Sequence, residues 1–303
     1  MIPLQHQLRK LYLCEIKLRP CDADSAIKLL KNLKKLDLGG MKVNNGKAFI
    51  KSLSSLSFLE EIVFPDVLMH DHSVAGFFDA LTSLRYLKYL DFGRSTITQV
   101  GAVTLAEVLP SLQLLEKLVL GNIGFDHECQ KYLFHAVGKL EYLKEHDFGW
   151  SKFTQTGAVT LAEVLPSLQL LEKLLLNNIG FDDECQKHLF HAVGKLKYLK
   201  ELDLGSSTIT QTAALLEKLV LKGIEFDDEC QKHLFHAAGK LKYLKELDLG
   251  WSTITQTGAV SLAEVLPSLE LLEKLVLKKI GFDDECQKHL FHAVGKLKYL
   301  KKT

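Results

Sequence analysis

The hydrophobic positions of this chain follow one short pattern that recurs along its length. Each copy opens with apolar residues spaced as L-x-x-L-x-L, and the openings at 59, 87, 115, 143, 171 and 199 are 28 residues apart. The alternation within an opening predicts a short strand with one buried face, and the apolar stretch after it predicts a helix. One strand and one helix are too small to bury their own apolar faces, so the copies must stack.

Two kinds of copy alternate. The A copy (143–170) contains GAVTLAEVL between a threonine and a proline, and the B copy (171–196) contains DDECQKHLFHAVG. We expect a capping threonine to begin each A helix and a proline to stop it. These residues are Thr98, Thr154 and Thr255, and Pro110, Pro166 and Pro267. The B helix should start near Asp126, Asp182, Asp227 or Asp283 and end in a left-handed cap at Gly138, Gly194, Gly239 or Gly295.

A period of 28 residues with this opening is the signature of leucine-rich repeats. The predicted fold class is therefore α/β: a leucine-rich repeat solenoid, curved like a horseshoe, with a parallel sheet on the concave face and helices on the convex face. We predict one solenoid over 1–303 with about eleven repeats, divergent over 1–86 and alternating regularly between A and B over 87–303. A shortened repeat at 199–215 interrupts the alternation, because its opening at Leu199 is only 17 residues from the next at Leu216.

The amino-acid composition limits the classes of partner that this chain can bind. The 38 basic and 37 acidic side chains give a net charge of +1, which provides no general attraction to nucleic acid or an anionic membrane. Aromatic residues do not interleave with the basic edge at Lys187, Lys195, Lys197 and Lys200, so we predict no nucleic-acid ligand. No run is apolar enough to span a bilayer, and the start of the chain lacks a signal peptide. We predict a protein ligand and no membrane association.

The cysteines and histidines indicate structure rather than chemistry. Cys129, Cys185, Cys230 and Cys286 recur in successive B copies, too far apart to form disulfides. Free buried thiols favour a reducing compartment, so we predict a cytoplasmic location. The Cys-x-x-His-x-x-His motif of the B helix points its side chains in different directions, and Asp66, His70, Asp71 and His72 are typical of a solvated loop. We therefore predict no enzyme, no metal and no cofactor.

The most informative positions lie on the strands and just after them. Outward strand residues are acidic in A copies and begin with lysine in B copies, so neighbouring strands should form Lys–Glu rows. The position after each strand varies between otherwise similar copies: Arg94, Trp150, Ser206 and Trp251 in A, and Asn122, Asn178, Gly223 and Lys279 in B. Exposed Trp and Arg are favoured interface anchors. Our ligand-binding candidates are Arg94, Trp150, Trp251, Glu145, Asp147, Asn177, Glu246, Asp248, Lys222 and Lys278.

The A copy LDLGWSTITQTGAVSLAEVLPSL (247–269) resembles ribonuclease-inhibitor-like repeats, through L-x-x-L-x-L followed by I-T-x-x-G-x-x-x-L-A-x-x-L. The alternating pattern looks most like the repeat region of animal NLR-type innate immune receptors. One position departs from the family, whose Asn or Cys after the strand is replaced by serine in A copies and isoleucine in B copies. These residues are Ser95, Ser151, Ser207 and Ser252, and Ile123, Ile179, Ile224 and Ile280. The family's side-chain ladder there should be weakened or replaced by apolar packing.

Three hypotheses follow for function. The resemblance implies a cytosolic protein-interaction scaffold, the sensing or autoinhibitory region of an NLR-like receptor, with a possible intramolecular partner domain in a longer parent protein. A stand-alone inhibitor that wraps an enzyme is the alternative that ribonuclease inhibitor suggests, although Lys–Glu rows argue against an acidic face for a basic enzyme. Near-identical copies also permit a recently expanded or engineered array without an evolved ligand.

Overall fold

The computed structural model describes residues 8–13, 30–40, 52–66, 71–123, 127–177, 179, 188–189, 192–193, 195–205, 217–223, 228–280 and 284–301. The chain separates into two compact units, unit 1 (Met1–Thr160) and unit 2 (Leu161–Thr303). Outside these residues lie Cys14, Cys21, His70, Cys185 and His191, together with the predicted B-helix start positions Asp126, Asp182, Asp227 and Asp283.

Unit 1 contains six three-residue strands, each paired in parallel with the next along the chain. They are β1 (Lys10–Tyr12), β2 (Lys35–Asp37), β3 (Glu61–Val63), β4 (Tyr89–Asp91), β5 (Lys117–Val119) and β6 (Glu145–Asp147). Its described helices are α1 (Asp71–Leu81), α2 (Gln99–Val108) and α3 (His127–Val137). From β2 to β6, the middle residue of each strand is buried and its two neighbours are half-buried, as alternation predicts.

Unit 2 repeats the arrangement with five strands. They are β7 (Lys173–Leu175), β8 (Glu201–Asp203), β9 (Lys218–Val220), β10 (Glu246–Asp248) and β11 (Lys274–Val276), again parallel and in chain order. Helix α4 (Gln155–Val164) begins in unit 1 and ends in unit 2, and α5 (Asp228–Ala238), α6 (Gln256–Val265) and α7 (Asp284–Val294) follow β9, β10 and β11. Parallel strands that alternate with return helices confirm the predicted α/β fold class.

The shortened repeat leaves the strand pairing intact. Residues 206–216 are outside the described part of the chain, but the strands on either side pair directly, with Glu201 opposite Lys218. The residues that this repeat lacks, compared with the 28-residue copies, therefore come from the segment between the two strands. Their absence does not shift the register of the sheet.

The A helices begin as predicted. The hydroxyls of Thr98, Thr154 and Thr255 accept hydrogen bonds from the backbone N–H three residues later, at 3.3, 3.1 and 3.1 Å. Each α-helix ends two residues before the proline, and the proline sits inside a short 3₁₀ turn. These turns are Leu109–Ser111, Leu165–Ser167 and Leu266–Ser268. Proline lacks a backbone N–H, so it fits a turn that needs one donor fewer.

The predicted left-handed cap is wrong at Gly138, Gly239 and Gly295, and Gly194 lies outside the described residues. Among the described glycines only Gly40 and Gly223 have positive φ. Gly239 is instead required by close helix packing, because a Cβ there would lie 2.9 Å from Val265 Cβ. The Ser268 hydroxyl also donates to Gly239 O at 2.8 Å. The neighbouring helix, and not the local backbone, selects this glycine.

A buried glutamine joins each of the B helices α3 and α5 to the A helix that follows it. Gln231 is fully buried; its amide nitrogen donates to Thr253 O at 3.0 Å, and its Oε1 accepts from Thr255 N at 3.0 Å. Gln130 bonds to Lys152 O and Thr154 N in the same way, at 2.6 and 2.9 Å. A Cβ at Gly157 or Gly258 would overlap the Oε1 of the corresponding glutamine. The glycine of the Q-T-G sequence thus makes room for this amide.

The serine position after the A strands retains a cross-repeat hydrogen bond. The hydroxyls of Ser95, Ser151 and Ser252 donate to the carbonyls of Phe64, Leu120 and Leu221 at 3.1, 3.3 and 2.7 Å. Isoleucines 123 and 179 of the B copies are buried. At these positions the A copies therefore keep a side-chain hydrogen bond to the preceding repeat, and the B copies replace it by apolar packing.

One strand carries a histidine where the others carry leucine or isoleucine. His146 is buried, its Nδ1 lies 2.8 Å from Leu118 O, and its ring contacts Phe148 at a centroid distance of 3.8 Å. Its Nε2 has no hydrogen-bond partner in the described part of the chain. Burial lowers the pKa of His146 to about 4, because a charged ring loses its water there.

Candidate interaction face

The outer face of the strands carries the predicted Lys–Glu rows. Lys117 pairs with Glu145 at 2.9 Å in unit 1, and Glu246 pairs with Lys274 at 2.7 Å and Lys218 at 3.8 Å in unit 2. Further pairs are Lys35–Glu61, Lys173–Glu201 and Lys218–Glu201. The hydrogen bond to Glu246 raises the pKa of Lys274. The candidates Glu145 and Glu246 are therefore already engaged with lysines of neighbouring strands.

A second charge row lies just before the strands. It comprises Lys34–Glu60, Lys88–Glu60, Lys144–Glu116, Lys200–Glu172, Lys245–Glu217 and Lys301–Glu273. Hydrogen bonding to Glu172 raises the pKa of Lys200. Salt bridges this exposed each contribute little to stability, but in each of them the positive and negative charges offset one another.

The candidate aspartates Asp147 and Asp248 shape the turn after their strands. Each Oδ1 accepts a hydrogen bond from the glycine N–H two residues later, at 2.8 Å in both cases. Asp37, Asp91 and Asp203 do the same for Gly39, Gly93 and Gly205. Burial raises the pKa of the Asp203 carboxyl. Side-chain bonds of this kind fix a local turn, so these aspartates position the residues that follow them.

The variable position after each strand has a left-handed backbone. We call its described members the turn row; they are Gly40, Asp66, Arg94, Asn122 and Trp150 in unit 1, and Gly223, Trp251 and Lys279 in unit 2, all with φ between 57° and 69°. The N–H of a turn-row residue donates to a carbonyl of the next repeat, as from Arg94 to Gly121 at 2.8 Å and from Trp251 to Lys278 at 2.7 Å. These backbone hydrogen bonds between repeats impose the left-handed conformation on the turn row.

Both tryptophans stand in the turn row and are exposed, Trp150 at 60% and Trp251 at 50%. A positive φ is unusual for a bulky side chain, because its Cβ approaches the following carbonyl oxygen. Lys279 Nζ lies 3.7 Å from the centre of the Trp251 ring, and the Arg94 guanidinium pairs with Asp66 at 2.7 Å. Neighbouring turn-row side chains thus contact one another across repeats.

Three further candidates occupy the position just before the turn row. Asn177 is half-buried there, and Lys222 and Lys278 are exposed. In the A copies this position is glycine, as at Gly149 and Gly250. These three candidates therefore lie beside the turn row, and their role in binding a ligand stays a prediction.

The sequence pattern predicts the variable position after each strand but not its left-handed backbone conformation. The signal was available, because the position holds Gly40, Gly223 and Asn122 in other copies, and these residue types tolerate positive φ. No described helix is both long and apolar enough to cross a membrane. The described residues contain no group of three or more His, Cys, Asp or Glu side chains suited to a metal ion.

Residues 240–263 match a family model described as "Leucine Rich repeat". The chain is therefore similar to leucine-rich repeat proteins over these residues. It is similar to leucine-rich repeat-containing protein 45 of chicken (Gallus gallus), with 25% identity over 127 residues. That match covers 41% of this chain, and the chain spans only 19% of the relative's length.

Two solved structures are also similar to this chain. An internalin from Listeria monocytogenes matches with a TM-score of 0.47 and 17% identity, over 99% of this chain and 88% of that chain. A leucine-rich repeat protein from Leptospira interrogans matches with a TM-score of 0.43 and 16% identity, over 97% and 96%. These values are too low for either likeness to bear on function.

Proposed function

We propose that this leucine-rich repeat chain is a protein-interaction scaffold, and that its partner docks on the turn row and the adjoining strand face. Repeat arrays of this kind commonly use such extended surfaces to bind other proteins. We further propose, from the A-copy pattern, that it is the sensing or autoinhibitory region of a cytosolic NLR-like receptor. The thiols of Cys129 and Cys286 are buried and form no disulfide, which supports a reducing compartment.

The observation that carries the proposal is the pair of exposed tryptophans at strained backbone positions. A left-handed conformation costs an L-residue about 1–2 kcal/mol, and such strain persists only where the surrounding structure enforces it. Glycine serves the same position at Gly40 and Gly223 without that cost. Tryptophan at positions 150 and 251 therefore lowers the stability of the fold relative to glycine. Large exposed indoles are, however, favoured anchors at protein interfaces.

The ion pairs of the strand face weigh against the enzyme-inhibitor alternative. An inhibitor of a basic enzyme needs acidic groups that are available to pair with the enzyme. Glu145, Glu201 and Glu246 are instead all paired with lysines of this chain. A scaffold that binds through the turn row does not need those carboxylates.

The test is capture of partners from cytosol by the wild-type chain and by a Trp150→Ala/Trp251→Ala variant. Tyr142→Ala removes an aromatic residue elsewhere that is about half exposed, and it is the control variant. We expect the double variant to lose the partners that the control retains. An unchanged set of partners in the double variant would refute the turn row as the docking surface.

A further inference from the structure

A second surface lies at the opposite ends of the strands from the turn row. The segments that lead into the amino ends of the strands in unit 2 contain the sequence K-L-K-Y-L-K three times, at 195–200, 240–245 and 296–301. We call these three segments, together with the intervening segment 268–273, the return edge. In parallel strands all amino ends lie on one side of the sheet, so the three copies line the same edge.

The return edge exposes a row of aromatic and apolar side chains. Tyr198, Tyr243 and Tyr299 are exposed at 56%, 52% and 60%, and Leu271 stands between the last two at 40%. The leucines on either side of Tyr198 and Tyr243 are buried, namely Leu196, Leu199, Leu241 and Leu244, and those beside Tyr299 are half-buried. The tyrosines are therefore not needed to fill the core, and they leave half of each ring in water. Contiguous exposed apolar side chains of this kind commonly mark an interaction site.

Lysines surround these tyrosines. The third lysine of each copy is paired, Lys200 with Glu172, Lys245 with Glu217 and Lys301 with Glu273. The first two lysines of each copy are exposed and take no part in any ion pair with the acidic residues that the structure describes. They are Lys195, Lys197, Lys240, Lys242, Lys296 and Lys298. Aromatic residues thus do interleave with the basic edge, contrary to the interpretation from sequence.

Unit 1 provides an internal contrast. Its corresponding segments read S-L-R-Y-L-K at 83–88 and K-L-E-Y-L-K at 139–144. The tyrosines persist, Tyr86 at 51% and Tyr142 at 49% exposed. The second basic residue is Arg85 in one segment and is replaced by Glu141 in the other. The excess positive charge is therefore a property of unit 2, whereas exposed tyrosine is common to both units.

We propose that the return edge of unit 2 binds an acidic amphipathic helix of a partner protein. Neighbouring strands are about 4.8 Å apart, and one turn of an α-helix rises about 5.4 Å. A helix laid along the edge would set its apolar residues in step with Tyr243, Leu271 and Tyr299. Its carboxylates would then face the lysines on both sides of the row.

The same edge suits single-stranded nucleic acid less well. Leu271 has no ring face on which a base can stack, although stacking supplies much of the affinity for single strands. Glu270 and Glu273 also lie between the basic copies and would repel a continuous phosphate backbone. An acidic helix can leave a polar residue opposite those glutamates, which a regular phosphate chain cannot do.

The direct test is fluorescence anisotropy with a labelled synthetic peptide of about 18 residues, long enough as a helix to span about 27 Å. Its leucines follow the i, i+4, i+7, i+11 spacing and are flanked by glutamates. A scrambled peptide of the same composition and a single-stranded oligo-dT of similar length are the comparison probes. Four variants of this chain are compared with the wild type. They are Lys197→Glu/Lys242→Glu/Lys298→Glu, the triple variant with glutamine at the same three positions, Arg85→Glu in unit 1, and Trp150→Ala/Trp251→Ala.

We expect the Glu triple to weaken peptide binding at least ~10-fold, the Gln triple less, and added salt to weaken wild-type binding. Arg85→Glu and the tryptophan variant should stay within ~2-fold of wild type, which separates this surface from the turn row. An equal affinity for the scrambled peptide, or a Glu triple that melts normally and binds normally, would overturn the proposal. Tighter binding of oligo-dT than of the peptide through the same lysines would overturn it in favour of nucleic acid.

Discussion

Replacing His146 by leucine should stabilise unit 1, and the gain should grow as the pH falls. His146 occupies the middle of β6, where the corresponding residues Leu36, Ile62, Leu90 and Leu118 are fully buried aliphatic side chains. Leucine fills this position without polar atoms. It removes the unpartnered Nε2 and loses the Nδ1 hydrogen bond to Leu118 O. A buried polar group without a partner costs about 1–3 kcal/mol and a hydrogen bond returns about 1 kcal/mol, so the net gain at pH 8 is about 1 kcal/mol.

The pH dependence follows from the lowered pKa. In the unfolded chain the imidazole takes up a proton as the pH falls through its ordinary value of 6.5, but in the folded chain it does so only near 4. The unfolded state therefore binds more protons between these values, and the free energy of unfolding decreases as the pH falls through this window. The difference amounts to about 2 kcal/mol at pH 5 and about 3 kcal/mol below pH 4. The leucine variant lacks this contribution.

The assay is urea unfolding of both proteins at pH 8, 7, 6 and 5. The chain has two tryptophans, Trp150 in unit 1 and Trp251 in unit 2, so a Trp251→Phe background makes Trp150 fluorescence a reporter of unit 1. His135→Gln, at an exposed position of α3, controls for the loss of a histidine as such. We expect the stability difference between the leucine variant and its parent to rise by about 2 kcal/mol from pH 8 to pH 5. A difference that stays constant with pH would falsify the reasoning.

Two further predictions concern glycine and the left-handed turn. Gly258→Ala should destabilise unit 2 by about 2 kcal/mol in urea unfolding, because the new Cβ displaces the buried Gln231 amide and leaves its polar atoms unpaired. Gly295→Ala, where a Cβ meets nothing closer than 3.4 Å, should change stability little, and equal losses in both variants would contradict the packing argument. Trp150→Gly should raise the free energy of unfolding of unit 1 by about 1 kcal/mol, through relief of the strain at φ 62°. Unfolding followed by circular dichroism checks this, and a loss of stability instead would mean that the indole packs favourably enough to outweigh its strained backbone.

Much of the fold was predictable because it is local and repeated. The L-x-x-L-x-L openings predicted the strands, the threonines predicted the A-helix caps, and the alternating lysine and glutamate residues predicted ion pairs such as Lys117–Glu145. The single-solenoid organisation over 1–303, the cytoplasmic location and the ligand-binding role of the candidate residues stay predictions.

The remaining features depend on what a residue meets in the next repeat. The left-handed backbone at Trp251 exists because its N–H must reach Lys278 O, and Gly258 is small because Gln231 of another helix lies against it. The sequence shows only that His146 replaces a leucine, whereas its burial in the folded chain lowers its pKa against the opposing effect of its hydrogen bond to Leu118 O. A periodic sequence determines which elements form and which faces they bury, since those depend on spacing along the chain. Contacts between repeats depend on the distance between backbones, which the tertiary structure alone decides.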